Sequence, residues 1–138
     1  MGLYANLDLL QAKVACDQWD MLVLVETWMH DLPGDLIRHL RAHRSTAHHL
    51  PATMSCVPAA RDRCGILILI RNCWHVHSME QCHCDFGEYI QLHIRGLFCV
   101  AALYRAAHNT TWAYNRTLSL FQDAALPTPM LWIGDYNW

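Results

Sequence analysis

Asp20-Met21-Leu22-Val23-Leu24-Val25-Glu26-Thr27 is the stretch on which the fold turns. Between its two acids the chain is apolar without a break, which is how a strand reads when both of its faces are covered. Cys64–Ile70 repeats the signature, with Ile66, Ile68 and Ile70 alternating against leucines, and Met130–Ile133 repeats it before Gly134-Asp135-Tyr136-Asn137. Helices are expected between these strands. Leu7 to Asp17 places Leu7, Leu10 and Val14 on one face, and Pro33–Arg44 does the same with Leu36, Ile37 and Leu40. A third helix is expected from Asn109 or Thr110 to Ala125, with Tyr114, Leu118, Phe121 and Ala125 as its stripe. Glu88–Ile94 and Leu97–Tyr104 read as strands joined tightly through Arg95-Gly96. Gly2–Asn6 is a short apolar lead-in compatible with a strand, and the proline-bearing Ser45–Arg63 reads as a loop. The order predicts an α/β chain with a mixed sheet.

At 138 residues the chain suits one ordinary domain. Hydrophobic residues make up 54% and charged ones 16%, against roughly 25% charged in an average globular protein, which excludes a disordered chain. The apolar runs are strand-sized and far short of the ~20 residues a bilayer-spanning helix needs, so no membrane partner is expected. No basic and then apolar leader opens the chain. Seven cysteines without regular spacing then suggest reduced thiols in an intracellular, nuclear or cytoplasmic protein rather than a secreted one. A net charge of −2 with a single lysine, Lys13, is not the footprint of a protein that holds nucleic acid by charge alone.

Three acid or amide clusters fall at the carboxyl ends of expected strands, the edge where open α/β sheets bind ligands: Asn6-Leu7-Asp8, Glu26-Thr27-Trp28 and Asp135-Tyr136-Asn137. Polar residues also end strands for no functional reason, so each cluster alone says little. Together on one sheet they suit a hard divalent cation such as Mg²⁺ or Mn²⁺, which takes one or two carboxylates and keeps water and phosphate oxygens as its other ligands.

These residues resemble the endonuclease/exonuclease/phosphatase superfamily of metal-dependent phosphodiesterases. The matching motifs, in order, are Asn6-Leu7-Asp8, Glu26-Thr27 after its apolar strand, Gly65-Ile66-Leu67-Ile68-Leu69-Ile70, a strand ending in Tyr104, and Gly134-Asp135-Tyr136-Asn137. Glu26-Thr27-Trp28-Met29, Tyr104-Arg105 and Arg61-x-Arg63-x-Gly65 look most like LINE-type (non-LTR) retrotransposon endonucleases, with DNA as ancestral substrate. Departures are Leu9, Cys64 and Ala106-Ala107, where glycines and prolines are common in related branches. The resemblance implies that Glu26 binds the metal directly, with Asp8 as a second or outer-sphere ligand. By the same resemblance Asn6 orients that carboxylate or a phosphate oxygen, and Tyr104 donates a hydrogen bond to the scissile phosphate or stabilises the leaving group. Asp135 would position or deprotonate the attacking water, Asn137 would hold the phosphate and fix Asp135, and Arg105 would contact phosphate.

The family closes with a further aspartate and a Ser-Asp-His motif, and no such tripeptide stands in these 138 residues. Residues 1–138 are therefore expected to be the N-terminal part of a four-layer α/β sandwich, a mixed sheet with helices on one face and the second sheet missing. Such a piece would be inactive or nearly so, and would self-associate through its uncovered sheet face. The alternatives are a non-catalytic remnant, or a superfamily member acting on lipid or RNA. Cys73, His75, His77, Cys82, His83 and Cys84 would make a zinc set only on a hairpin, and their C-x-C and H-x-H spacing is not the usual one. His48-His49 reads as solvated.

Overall fold

A computed structural model of the chain describes residues 3–16, 18–52, 64–84, 87–105, 115, 119 and 129–135, with backbone alone at 4, 82–84 and 105. A short 3₁₀ turn, Leu3–Asn6, leads into α1 (Leu7–Ala15). Then come β1 (Met21–Val25), α2 (Gly34–Ala42), β2 (Ser45–Leu50), β3 (Ile66–Arg71), β4 (Val76–Cys84), β5 (Gly87–Ile94), β6 (Cys99–Arg105) and β7 (Met130–Asp135). The strands form two sheets. One is antiparallel with order β1-β3-β2; the other has order β4-β5-β6-β7, with β6 and β7 parallel.

The central strand, β3, shows why the stack closes. Successive side chains of a strand point to opposite faces. Ile66, Ile68 and Ile70 enter a core with Ile90, Leu92 and Ile94 of β5 and Ala102 and Tyr104 of β6. Leu67 and Leu69 enter another with Leu10 and Val14 of α1, Leu36 and Leu40 of α2, and Trp19. The isoleucines thus meet the second sheet and the leucines meet the helices. β1 divides in the same way, with Met21, Val23 and Val25 on the sheet side and Leu22 and Leu24 on the helix side. Fully burying one such side chain stabilises the fold by about 1.5–3 kcal/mol, so β3 alone is worth a large share of a small domain's stability.

The α/β class, the helical cover on one face, α1, α2, β1, β3, β7 and the tight Arg95-Gly96 hairpin agree with the sequence reading; Gly96 takes φ +72° in that turn, and Ile94 N–H donates to the Phe98 carbonyl at 2.9 Å. The missing second sheet is a correction. Strands 87–94 and 99–105 do not extend the first sheet but, with β4 and β7, form the second, which packs on the isoleucine face of β3. Apolar periodicity shows that a strand needs two covers without showing which strands supply them. The uncovered face that would have driven self-association is therefore covered. The lead-in, compatible with a strand, is a 3₁₀ turn, and the first six residues of the expected loop are β2, recruited by pairing with β3. β4 runs as one strand along β5, so His77 and Cys82 do not face each other across a turn. Of the third helix only Asn115 and Ser119 lie within the described residues, both helical. No helix of the described residues is long and apolar enough to cross a membrane.

The change from loop to strand also half-buries His48 and His49, and burial lowers both pKa values. For His49 the Met29 carbonyl and the Asp31 charge only partly offset it. An imidazole that is harder to protonate folded than unfolded leaves the unfolded state with more bound protons below its ordinary value of about 6.5. Their contribution to stability is thus full above about pH 6.5 and declines as pH falls toward the depressed folded values. Urea midpoints measured across that window should decline, and a His48→Gln, His49→Gln double variant should flatten the decline. An unchanged slope in the double variant would assign it to other groups.

Candidate active site

Glu26 sits one residue past the end of β1 in a backbone conformation that few non-glycine residues adopt, φ +53°, and Trp28 repeats it at φ +56°. Left-handed residues of this kind persist only when their surroundings hold them. Here the backbone is pinned on two sides. Thr27 N–H donates to the Gly65 carbonyl at 3.1 Å and Trp28 N–H to the Cys64 carbonyl at 2.9 Å, while the Thr27 carbonyl accepts from Leu3 N–H at 2.9 Å. Gly65 has no alternative at its position: with φ +103°, a Cβ there would lie 2.5 Å from Thr27 Oγ1.

The kink turns the exposed Glu26 carboxylate toward the second sheet. Tyr104, near the end of β6 and 4% exposed, donates its hydroxyl to Glu26 Oε1 at 2.6 Å. Burial pushes the Tyr104 hydroxyl well above its ordinary value. The Glu26 carboxylate that accepts its proton adds to this, as do smaller contributions from Cys64 and Asp135. Tyr104 is therefore a proton donor at any physiological pH and not a base. In register, Tyr104 stands between Glu88 of β5 and Asp135 of β7. Residues directly opposite share a face, so two acidic residues flank the tyrosine whose hydroxyl binds the Glu26 carboxylate.

Glu88 is 2% exposed, and its Oε2 accepts Gly65 N–H at 2.8 Å. The same carboxylate thus ties β5 to the chain entering β3, beside the strand end that carries Glu26. The sequence reading missed it. The signal was present in the parity of β5, where Glu88 shares the face of the core residues Ile90, Leu92 and Ile94 and so points inward. On the other flank, β7 approaches β6 so closely that a Cβ on Gly134 would lie 1.8 Å from the Leu103 carbonyl oxygen, which places Asp135 directly beside Tyr104.

Glu26, Tyr104 and Asp135 are thus brought together. Asn6 and Asp8 stand exposed at the start of α1, Asn6 does not cap the helix with its side chain, and no bond among the described residues links either to Glu26. Arg105 is described in its backbone alone, and Asn137 lies outside the described residues. The donors are hard oxygens, which fit Mg²⁺ or Mn²⁺, and with Oε1 engaged by Tyr104, Glu26 has Oε2 to offer. Among the described residues no group of three His, Cys, Asp or Glu side chains converges on one point, so such an ion would keep water in its shell. Thr27 Oγ1 and Trp28 Nε1, beside Glu26, are buried with no hydrogen-bond partner, which is unusual for polar atoms outside a binding site.

No family model matches the chain, and no curated protein matches it in sequence. Among solved structures it is similar to ANGEL2, a 2',3'-cyclic phosphatase of the endonuclease/exonuclease/phosphatase superfamily, crystallised with adenosine-2',3'-vanadate. The TM-score is 0.68 at 16% identity over 93% of this chain, and the chain spans 42% of that protein's length. The fold is thus the one the motifs imply.

Removing Glu88 tests the inter-sheet tie. Glu88→Ala leaves Gly65 N–H buried and unpaired and should cost about 1–3 kcal/mol in urea unfolding. Glu88→Gln keeps an acceptor and should recover most of that loss.

Proposed function

We propose that the chain carries the Glu26–Tyr104–Asp135 part of a metal-dependent phosphodiesterase site of the endonuclease/exonuclease/phosphatase kind, with DNA as the substrate. The observation that carries this reading is the 2.6 Å hydrogen bond from Tyr104 to Glu26, which joins the strand ends of two stacked sheets beside Asp135. Glu26 would hold Mg²⁺ or Mn²⁺, and such an ion, when bound, neutralises charge on the phosphoryl group undergoing in-line displacement. Tyr104, kept protonated, is fit to donate a hydrogen bond to a phosphate oxygen or a departing alkoxide. Asp135, beside Tyr104 in register, is the carboxylate that would orient or deprotonate the attacking water. Asn137 and Arg105 would hold the phosphate, and Asn6 and Asp8 would join from the start of α1.

DNA is supported by Glu26-Thr27-Trp28-Met29, Tyr104-Arg105 and Arg61-x-Arg63-x-Gly65, the LINE-like features of the sequence. A DNA substrate would place the protein in the nucleus or cytoplasm. One observation favours a second substrate: the structural neighbour holds adenosine-2',3'-vanadate, so a 2',3'-cyclic phosphate at an RNA end is the competing reading. In either case the 138 residues contain no Ser-Asp-His, and catalysis by them alone should be weak or absent.

Metal binding therefore comes first in the test. Titration calorimetry with Mn²⁺ should show a site that Glu26→Ala removes and Tyr104→Phe weakens. Nicking of supercoiled plasmid and hydrolysis of 2',3'-cyclic AMP, each with Mg²⁺, then distinguish the substrates, and any turnover should vanish in Glu26→Ala. Mn²⁺ binding unchanged by Glu26→Ala would overturn the proposal.

A further inference from the structure

The space between the two sheets opens to water on both sides of the sandwich, and the two openings differ in chemistry. β2 and β4 are the outermost strands on one side, β1 and β7 on the other. The β2/β4 opening carries polar groups: Thr46, His48, Asn72 and His75 line it, and Thr46 Oγ1 donates to Asn72 Oδ1 at 2.7 Å. The β1/β7 opening is an apolar groove of about 500 Å³ lined by Met21, Val23, Trp74, Phe98, Leu131 and Ile133.

Strand parity makes these groove residues core positions. Met21 and Val23 face the isoleucine core, and Leu131 and Ile133, in register with Val100 and Ala102, share the inward face of Tyr104. All four aim between the sheets, yet Leu131 is 51% exposed and the other three are only partly buried. The core thus runs out to this edge without being closed, which is how an interaction site reads on a protein surface. β1 adds a second demand. An outermost strand that is apolar and carries no charge or proline is a template for another strand, and Met21-Leu22-Val23-Leu24-Val25 carries neither.

Whatever covers this edge must fill the groove with apolar side chains and bring a strand to β1. A helix or an apolar small molecule would do only the first. A second copy of the chain does both, because it carries the same edge. A dyad normal to the sheets sets β1 antiparallel to its counterpart and lays groove against groove, an isologous contact that closes at two copies. We propose that the β1/β7 edge is a homodimer interface of this kind. It is an edge, distinct from the isoleucine face that the second sheet covers, and it does not rest on the reading of the Glu26 site. β1 has five residues, and at ~3.3 Å per residue with sheets ~10 Å apart the face measures roughly 17 by 20 Å. That is less than the ~800 Å² per partner of a standard interface, so the dimer should depend on concentration. Centred on Val23, the pairing sets Asp20 opposite Glu26 of the second copy, and salt should therefore strengthen it by screening the two acids.

Sedimentation equilibrium of the full chain over a wide range of concentrations tests this. The mass should rise from one copy toward two, and the urea midpoint should rise with concentration. Leu131→Lys, at a side chain already half exposed and so without folding risk, should weaken the dimer by about tenfold or more, because the new charge would be buried against apolar groups. Thr46→Lys, on the polar side, should leave it unchanged. Amide exchange across residues 21–25 should slow as the dimer forms. A monomer at every concentration would overturn the proposal, as would a dimer indifferent to Leu131→Lys or one that Thr46→Lys weakens equally. Unchanged exchange across 21–25, or dissociation by salt, would overturn the pairing of β1 with its copy.

Discussion

The double burial of β3 is the constraint from which the rest of the structure follows. Ile66 to Ile70 are 0–1% exposed, so every position between the two ends of the strand must find an apolar neighbour. The leucine face takes α1 and α2; the isoleucine face takes β5 and β6. Helices alone could not satisfy it, because they occupy one side. The second sheet is thus required by the same residues that form the first, and its position follows from where the isoleucines point.

That stacking creates the site. β1 and β6 belong to different sheets, and Glu26 and Tyr104 are 78 residues apart, yet the two strand ends meet across the isoleucine core at 2.6 Å. The contact needs Glu26 out of regular strand geometry, since a residue continuing β1 would follow the sheet's alternation. The left-handed φ at Glu26 and Trp28 supplies the turn, and backbone bonds from Leu3, Cys64 and Gly65 hold it. Strain of this kind, of order 1–3 kcal/mol per residue, is tolerable because the β3 core stabilises far more than it costs.

The elements legible in the sequence were those whose signal is local. β1, β3, β7 and the hairpin between β5 and β6 declare themselves through unbroken apolar runs or a turn glycine, and α1 and α2 through their stripes. Glu26, Tyr104 and Asp135 were legible because each follows such a run. Sheet membership was not, because a fully apolar strand looks the same whichever neighbours cover it. β2 was hidden for another reason: Ser45-Thr46-Ala47-His48-His49 has little strand character of its own, and β3 supplies the pairing that imposes it. Asn6 and Asp8 were read on the assumption of an opening strand, and a 3₁₀ turn into α1 changes what they adjoin. Glu88 needed only parity, applied to a charged residue rather than to apolar ones.

Glu88 also shows how stability and chemistry are joined here. A buried carboxylate without a partner would cost several kcal/mol, and Glu88 meets that cost in part through Gly65 N–H. Gly65 must be glycine for a separate reason, the Thr27 side chain at its Cα, and Thr27 is the residue whose backbone holds Glu26 in place. One chain of contacts thus runs from Glu88 through Gly65 and Thr27 to Glu26, and from Glu26 through Tyr104 back to the strand that pairs with Glu88. A closed loop of this kind spans both sheets, so the carboxylate at Glu26 cannot shift without disturbing either β5 or the start of β3. The position of the candidate metal ligand is set by the packing of the whole sandwich rather than by its own loop.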